Sequence, residues 1–112
     1  MKWEEIKIKF PIAFNKLIAS TVPRDSISAL NVDAYIKWLD SGFYFRSLYD
    51  FFDSFDIFVE ILHNESSPHE DKFLSVLQFE NNVLNKGDVY KTRKEAEEFA
   101  FELAFKLLNE KV

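Results

Sequence analysis

Residues 92 to 108, TRKEAEEFAFELAFKLL, carry apolar side chains around so much of one helical circumference that a single neighbour cannot cover them. At about 100° per residue, Ala96, Phe99, Ala100, Leu103, Ala104 and Leu107 form one broad stripe, and Phe101, Phe105 and Leu108 extend it around the side. Thr92 and Glu95 stand at the T-x-x-E spacing of a capping box, and Glu95, Glu97 and Glu98 crowd the first turns, where the helix dipole favours acids. Glu98, Glu102, Lys106 and Asn109 mark the wet face. Such a helix needs two partners. The alanines allow close approach to a sheet, whereas the phenylalanine flank has to meet helices from the start of the chain or another molecule. Burial inside the chain is the primary expectation; a homodimer or a partner surface through Phe101, Phe105 and Leu108 is the alternative.

The opening segment reads two ways. Ile6, Ile8 and Phe10 alternate with Lys7 and Lys9 as in a strand, while Trp3, Ile6 and Phe10 share one helical stripe that continues through Phe14, Leu17 and Ile18. Glu4 and Glu5 suit a helix start, and Pro11 suits the first position of a second helix, so helix is the expectation. STVPRDS reads as a loop. A short helix follows, with Asp33 as its cap, Tyr35, Trp38 and Leu39 on one face, and Gly42 at its end. In SLYDFFDSF, Ser47 and Asp50 have capping-box spacing, and Leu48, Phe51, Phe52 and Phe55 have amphipathic helix spacing.

The period then changes. IFVEIL, residues 57 to 62, and FLSVLQF are rich in β-branched and aromatic residues and flank the polar HNESSPHED, which predicts an antiparallel hairpin with a long loop. A third, shorter strand is expected at Val83 and Leu84 or at Val89 and Tyr90, with NKGD around Gly87 as a turn between them. The fold class is therefore α+β: a small antiparallel sheet of two to three strands packed against a long C-terminal helix and N-terminal helices, with residues 1 to 112 as a single domain.

Composition agrees with a packed core, since 47% of residues are hydrophobic and 29% charged. Thirteen phenylalanines, four tyrosines and two tryptophans supply much of that core from few positions. The net charge of -5 is uneven: residues 57 to 112 hold seven Lys/Arg against eleven Asp/Glu. That balance repels phosphate backbones, and nucleic acid is disfavoured as a partner. The absence of cysteine removes disulfides, thiolate nucleophiles and thiolate-bound zinc. MKWEEIKIKFP breaks with charges the apolar run a secretion leader needs, and no stretch has the length of a membrane span, so a cytoplasmic protein is expected.

The blocks WEEIKIKFP, LYDFFD and YKTRKEAEEFAF, at Trp3 to Pro11, Leu48 to Asp53 and Tyr90 to Phe101, resemble small uncharacterised proteins of phage or prophage type from Bacteroidetes-like bacteria. The resemblance leaves residues 20 to 46 and 63 to 85 unmatched. It implies a helix-strand-helix plan and a mobile-element origin; its motifs are caps and core aromatics, and it implies no activity.

Few residues point to chemistry. His63, Glu65, His69, Glu70 and Asp71 are acceptable ligands for a divalent ion, but their spacing matches no metal signature, and a solvated acidic loop is the expected reading. No serine lies in a nucleophile elbow, and no glycine-rich loop cradles a phosphate, so no catalytic or cofactor-binding residue is assigned and no cofactor is expected. Asp50, Asp53 and Asp56 read as an ionised, solvated face. Lys91, Arg93 and Lys94 beside Tyr90 form a small basic cluster that the following glutamates blunt; pairing of Arg93 with Glu97 and of Lys94 with Glu98 is the plainer use. The leading expectation is a non-enzymatic module that binds an unknown protein partner, with Phe101, Phe105 and Leu108 or the run Phe43, Tyr44 and Phe45 as its surface. The alternatives are a small metal-dependent hydrolase built on the His63 to Asp71 loop and an acidic mimic of nucleic acid.

Overall fold

A computed structural model describes residues 1–41, 45–63, 73–80 and 82–111, with side chains left out at 45 and 84–88. The chain divides into two compact units: Met1–Phe51 with Phe105–Val112, and Phe52–Ala104. The elements are helices α1 (Trp3–Lys9) and α2 (Pro11–Thr21), a 3-10 turn (Arg24–Ala29), helices α3 (Val32–Asp40) and α4 (Phe45–Asp53), strands β1 (Ile57–His63), β2 (Phe73–Phe79) and β3 (Asn82–Tyr90), and helix α5 (Arg93–Lys111). This is an α+β fold with a three-stranded sheet and a long final helix.

In the first unit the ambiguity of the opening segment resolves by burial. A strand would bury Ile6 and Ile8 alike; Ile6 is 3% exposed and Ile8 74%, as helical spacing requires. Glu4 and Glu5 occupy the first turn of α1, and Glu4 pairs with Lys7 at 3.2 Å on the surface. Pro11 sits at the first position of α2, where its missing N–H costs nothing. The next two N–H groups, of Ile12 and Ala13, donate to Asn109 Oδ1 at 2.9 and 3.2 Å, so α2 receives from α5 the cap that Phe10 cannot supply. Asn109 therefore belongs to a cap and not to the wet face that its spacing implied.

Thr21 Oγ1 and Tyr35 Oη lie 2.6 Å apart and tie α2 to α3, and Phe14 meets Tyr35 edge to face. The cap of α3 is Asn31, whose Oδ1 accepts from the Ala34 N–H at 3.1 Å; Asp33 lies in the first turn. Tyr35, Ile36 and Leu39 are buried, while Trp38 stays half exposed, tilted against Tyr35. α3 ends at Asp40, with Ser41 as its C-cap. Gly42, the expected stop, lies outside the described residues. α4 begins before Ser47, which is thus inside the helix and no cap; Leu48, Phe51 and Phe52 are buried as their spacing predicts, and Phe55 falls in the turn beyond.

The second unit holds the sheet, an antiparallel meander in the order β1-β2-β3. β1 and β2 pair without a shift from Ile57↔Phe79 to His63↔Phe73. β3 runs from Asn82 to Tyr90, longer than the short strand expected at Val83 and Leu84 or at Val89 and Tyr90, and NKGD lies within it instead of forming a turn. The pairs Leu74↔Val89 and Val76↔Lys86 enclose one residue on β2 and two on β3, and Leu77↔Asn85 and Gln78↔Val83 show a second extra residue. Gly87 thus lies in a bulge that keeps the strand going, a usual place for glycine inside a ladder. Glu80, in the β2–β3 turn, takes the left-handed conformation at φ 51°.

The first turn of α5 is capped by Thr92, whose Oγ1 accepts from the Glu95 N–H at 3.2 Å. Ala96, Ala100, Phe101, Ala104, Phe105 and Leu108 are all buried, with Phe99, Leu103 and Leu107 half-buried, so the centre of the stripe lies nearer the phenylalanine flank than the sequence indicated. In the first unit Phe105 meets Trp3 edge to face at 5.7 Å and lies 6.3 Å from Phe51. In the second, Phe101 stacks on Phe52 at 5.9 Å, and Phe99 packs on Tyr90 beside the sheet. Phe101, Phe105 and Leu108 are core residues and offer no docking surface; the apolar flank that suggested a homodimer is already covered.

Candidate functional site

Residues paired across an antiparallel ladder point to the same face, so the register sorts the sheet into two sides. One side carries the rows Ile57–Phe79–Asn82, Val59–Leu77 and His63–Phe73–Tyr90, with Ile61 beside Ser75. Ile57, Val59, Leu77 and Ser75 are buried there, and Tyr90 packs on Phe99 of α5. Ser75 Oγ is enclosed without a hydrogen-bond partner among the described residues.

The other side carries Phe58–Gln78–Val83, Glu60–Val76 and Leu62–Leu74–Val89, with Val76 of the central strand buried. These rows would be unremarkable if the outward positions were polar, as in a sheet solvated on one face. They are not. Phe58, Leu62, Val83 and Val89 are between 41% and 48% exposed, which places four large apolar side chains on one small face. Glu60, the exposed acid of that face, stands between Phe58 and Leu62 on β1.

Magnitudes define what such a face can do. Full burial of a Val, Leu or Phe side chain contributes about 1.5–3 kcal/mol, so covering the exposed halves of these four adds on the order of 3–6 kcal/mol. Association costs about 4–15 kcal/mol in lost freedom. The apolar face alone therefore supports weak binding and needs further contacts to hold a partner firmly.

β1 offers such contacts, since among the described residues it is an edge strand of the sheet. Among the described residues, the backbone from Ile57 to Leu62 makes no hydrogen bond beyond its ladder with β2.

The residues singled out from sequence fall elsewhere. Of the loop ligand set only His63 is described, its ring stacked on Phe73 at 4.7 Å; Glu65, His69, Glu70 and Asp71 lie outside the described residues. Phe43 and Tyr44 also lie outside them, as does the side chain of Phe45. Asp50, Asp53 and Asp56 are exposed, in keeping with a solvated face. Lys91, Arg93 and Lys94 are exposed at the start of α5, and the Arg93 guanidinium lies 5.6 Å from the centre of the Phe73 ring. Phe73 thus carries both the His63 ring and the Arg93 guanidinium, a use for these side chains that their sequence positions did not reveal.

The outward face had a readable signal that passed unused. IFVEIL is apolar at both parities, Ile57 and Val59 on one and Phe58 and Leu62 on the other. A strand of that kind is either buried on both faces or keeps one for something else. Among the described residues no helix is long and apolar enough to cross a membrane, and no group of three or more His, Asp or Glu is placed to hold a metal ion. Compared with models of protein families, with curated proteins and with solved structures, the chain matches none of them.

Proposed function

We propose that this protein is a non-enzymatic interaction module that binds another protein through the outward face of its sheet. The observation that carries the reading is that Phe58 and Leu62 of β1 and Val83 and Val89 of β3 are all substantially exposed on the same side of the sheet. Large apolar side chains gathered on a face cost solubility unless something covers them, and scattered singly they would need no explanation. The lack of cysteine favours action inside the cell. A mobile-element origin belongs to the same proposal and rests on the resemblance at Trp3 to Pro11, Leu48 to Asp53 and Tyr90 to Phe101.

The test compares the tagged full chain with a variant carrying Phe58→Ser, Leu62→Ser, Val83→Thr and Val89→Thr, both used to capture proteins from the source cell at moderate salt. The expected result is a specific protein retained by the parent chain and lost from the variant, whose thermal unfolding stays cooperative. Retention of the same proteins by both chains would exclude the outward face as the binding surface.

A further inference from the structure

We infer that β1 is a docking edge that takes an extended, basic and apolar segment of another protein as a fourth strand of the sheet. This rests on the interaction reading above and specifies its mode and the chemistry of the partner. Four observations carry it.

The first is the open ladder: every other residue of an edge strand directs its N–H and C=O away from the sheet, and those of Ile57 to Leu62 find no partner among the described residues. The second is a contrast between the two edges. Edge strands are ordinarily blunted by proline, lysine, bulges or short length. β3 has two register shifts and Lys86 within it, whereas β1 pairs over seven residues without a shift and contains neither proline nor lysine. The third is the outward apolar pair Phe58 and Leu62, which lies beside the open edge and lets an incoming strand bury side chains as it forms hydrogen bonds.

The fourth is charge, and it selects the partner. Glu60 is the middle residue of β1 and is exposed, Asp56 is exposed just before the strand, and no Lys or Arg occurs between Arg46 and Lys72. A second copy of this chain joining β1 to β1 about a two-fold axis would set Phe58 against Leu62 but Glu60 against Glu60, and like charges directly opposite destabilise a pair. An alternating basic and apolar segment places a cation opposite Glu60 and apolar side chains beside Phe58 and Leu62. In that register charge disfavours a second copy, and it favours a strand of opposite sign.

The experiment uses the full chain and a fluorescein-labelled peptide, as long as β1, in which valine and lysine alternate. Fluorescence anisotropy measures binding, and amide hydrogen exchange locates it. Two comparison peptides replace lysine by glutamate or carry N-methyl groups along one edge, and Glu60→Lys and Glu60→Gln alter the strand. The expected result is that the lysine peptide binds at least about tenfold more tightly than the glutamate peptide, that Glu60→Lys reverses the order with Glu60→Gln between, that N-methylation removes binding, and that the amides of β1 become protected. Failure of the lysine peptide to bind, equal binding of both charged peptides, or binding that survives N-methylation would overturn the inference. Concentration-dependent dimerisation that protects the β1 amides would overturn it in favour of a second copy. In each of these cases the capture comparison above still decides separately whether the outward face binds a protein.

Discussion

Helix α5 and strand β1 are both too apolar to be satisfied by one neighbour, and they resolve the excess differently. In α5, Phe105 finds Trp3 and Phe51 in one unit, Phe101 finds Phe52 in the other, and both phenylalanines are fully buried. In β1, Ile57 and Val59 are buried on one face while Phe58 and Leu62 remain exposed on the opposite face. The contrast teaches that apolar excess in a sequence counts the partners an element needs without saying whether they lie in the same chain. For Phe101 and Phe105 of α5 those partners lie in the chain; Phe58 and Leu62 of β1 stay exposed among the described residues.

The comparison breaks most readily at its strongest point. Phe105→Ala should destabilise the protein by about 3–5 kcal/mol, the usual cost of removing a buried phenylalanine, whereas Phe58→Ala, which removes a half-exposed ring, should cost only about 1 kcal/mol. Denaturation with urea reads both, and equal losses would mean that the two elements are alike after all. A smaller effect sharpens the account of α5. Asn109→Ala removes the acceptor for the N–H groups of Ile12 and Ala13, with an expected loss of about 1 kcal/mol; Asn109→Asp should retain most of it, and an unchanged unfolding midpoint in Asn109→Ala would show that the cap contributes nothing.

Much of the fold was legible because it rests on local periodicity. The breadth of the α5 stripe, the Thr92 cap, Pro11 at the start of α2 and the hairpin of β1 with β2 all follow from spacing and turn chemistry within a few residues. What was not legible depends on distant neighbours. Asn109 has the spacing of a solvated position and is a cap only because α2 begins beside it, 97 residues away from Ile12 in sequence. Gly87 has the local signature of a turn, and only pairing with β2 turns it into a bulge within a continuous strand. For the phenylalanine flank of α5 burial within the chain is the primary expectation and a partner surface the alternative, because periodicity identifies a face and not its cover. The outward sheet face is the reverse case: its residues show in the sequence as the second parity of IFVEIL, and only the strand register places them on one side.

The central claim is that the two faces of β1 differ, one covered and one open, and the absence of native cysteine permits a direct measurement. Phe58→Cys and Ile57→Cys place a single thiol on adjacent residues of opposite faces, and the rate of reaction with a chromogenic disulfide reagent is followed in the folded full chain. The account predicts that the thiol at position 58 reacts close to the rate of an unhindered thiol, while the thiol at position 57 is slowed by at least about a hundredfold. Comparable rates at the two positions, both fast or both slow, would contradict it.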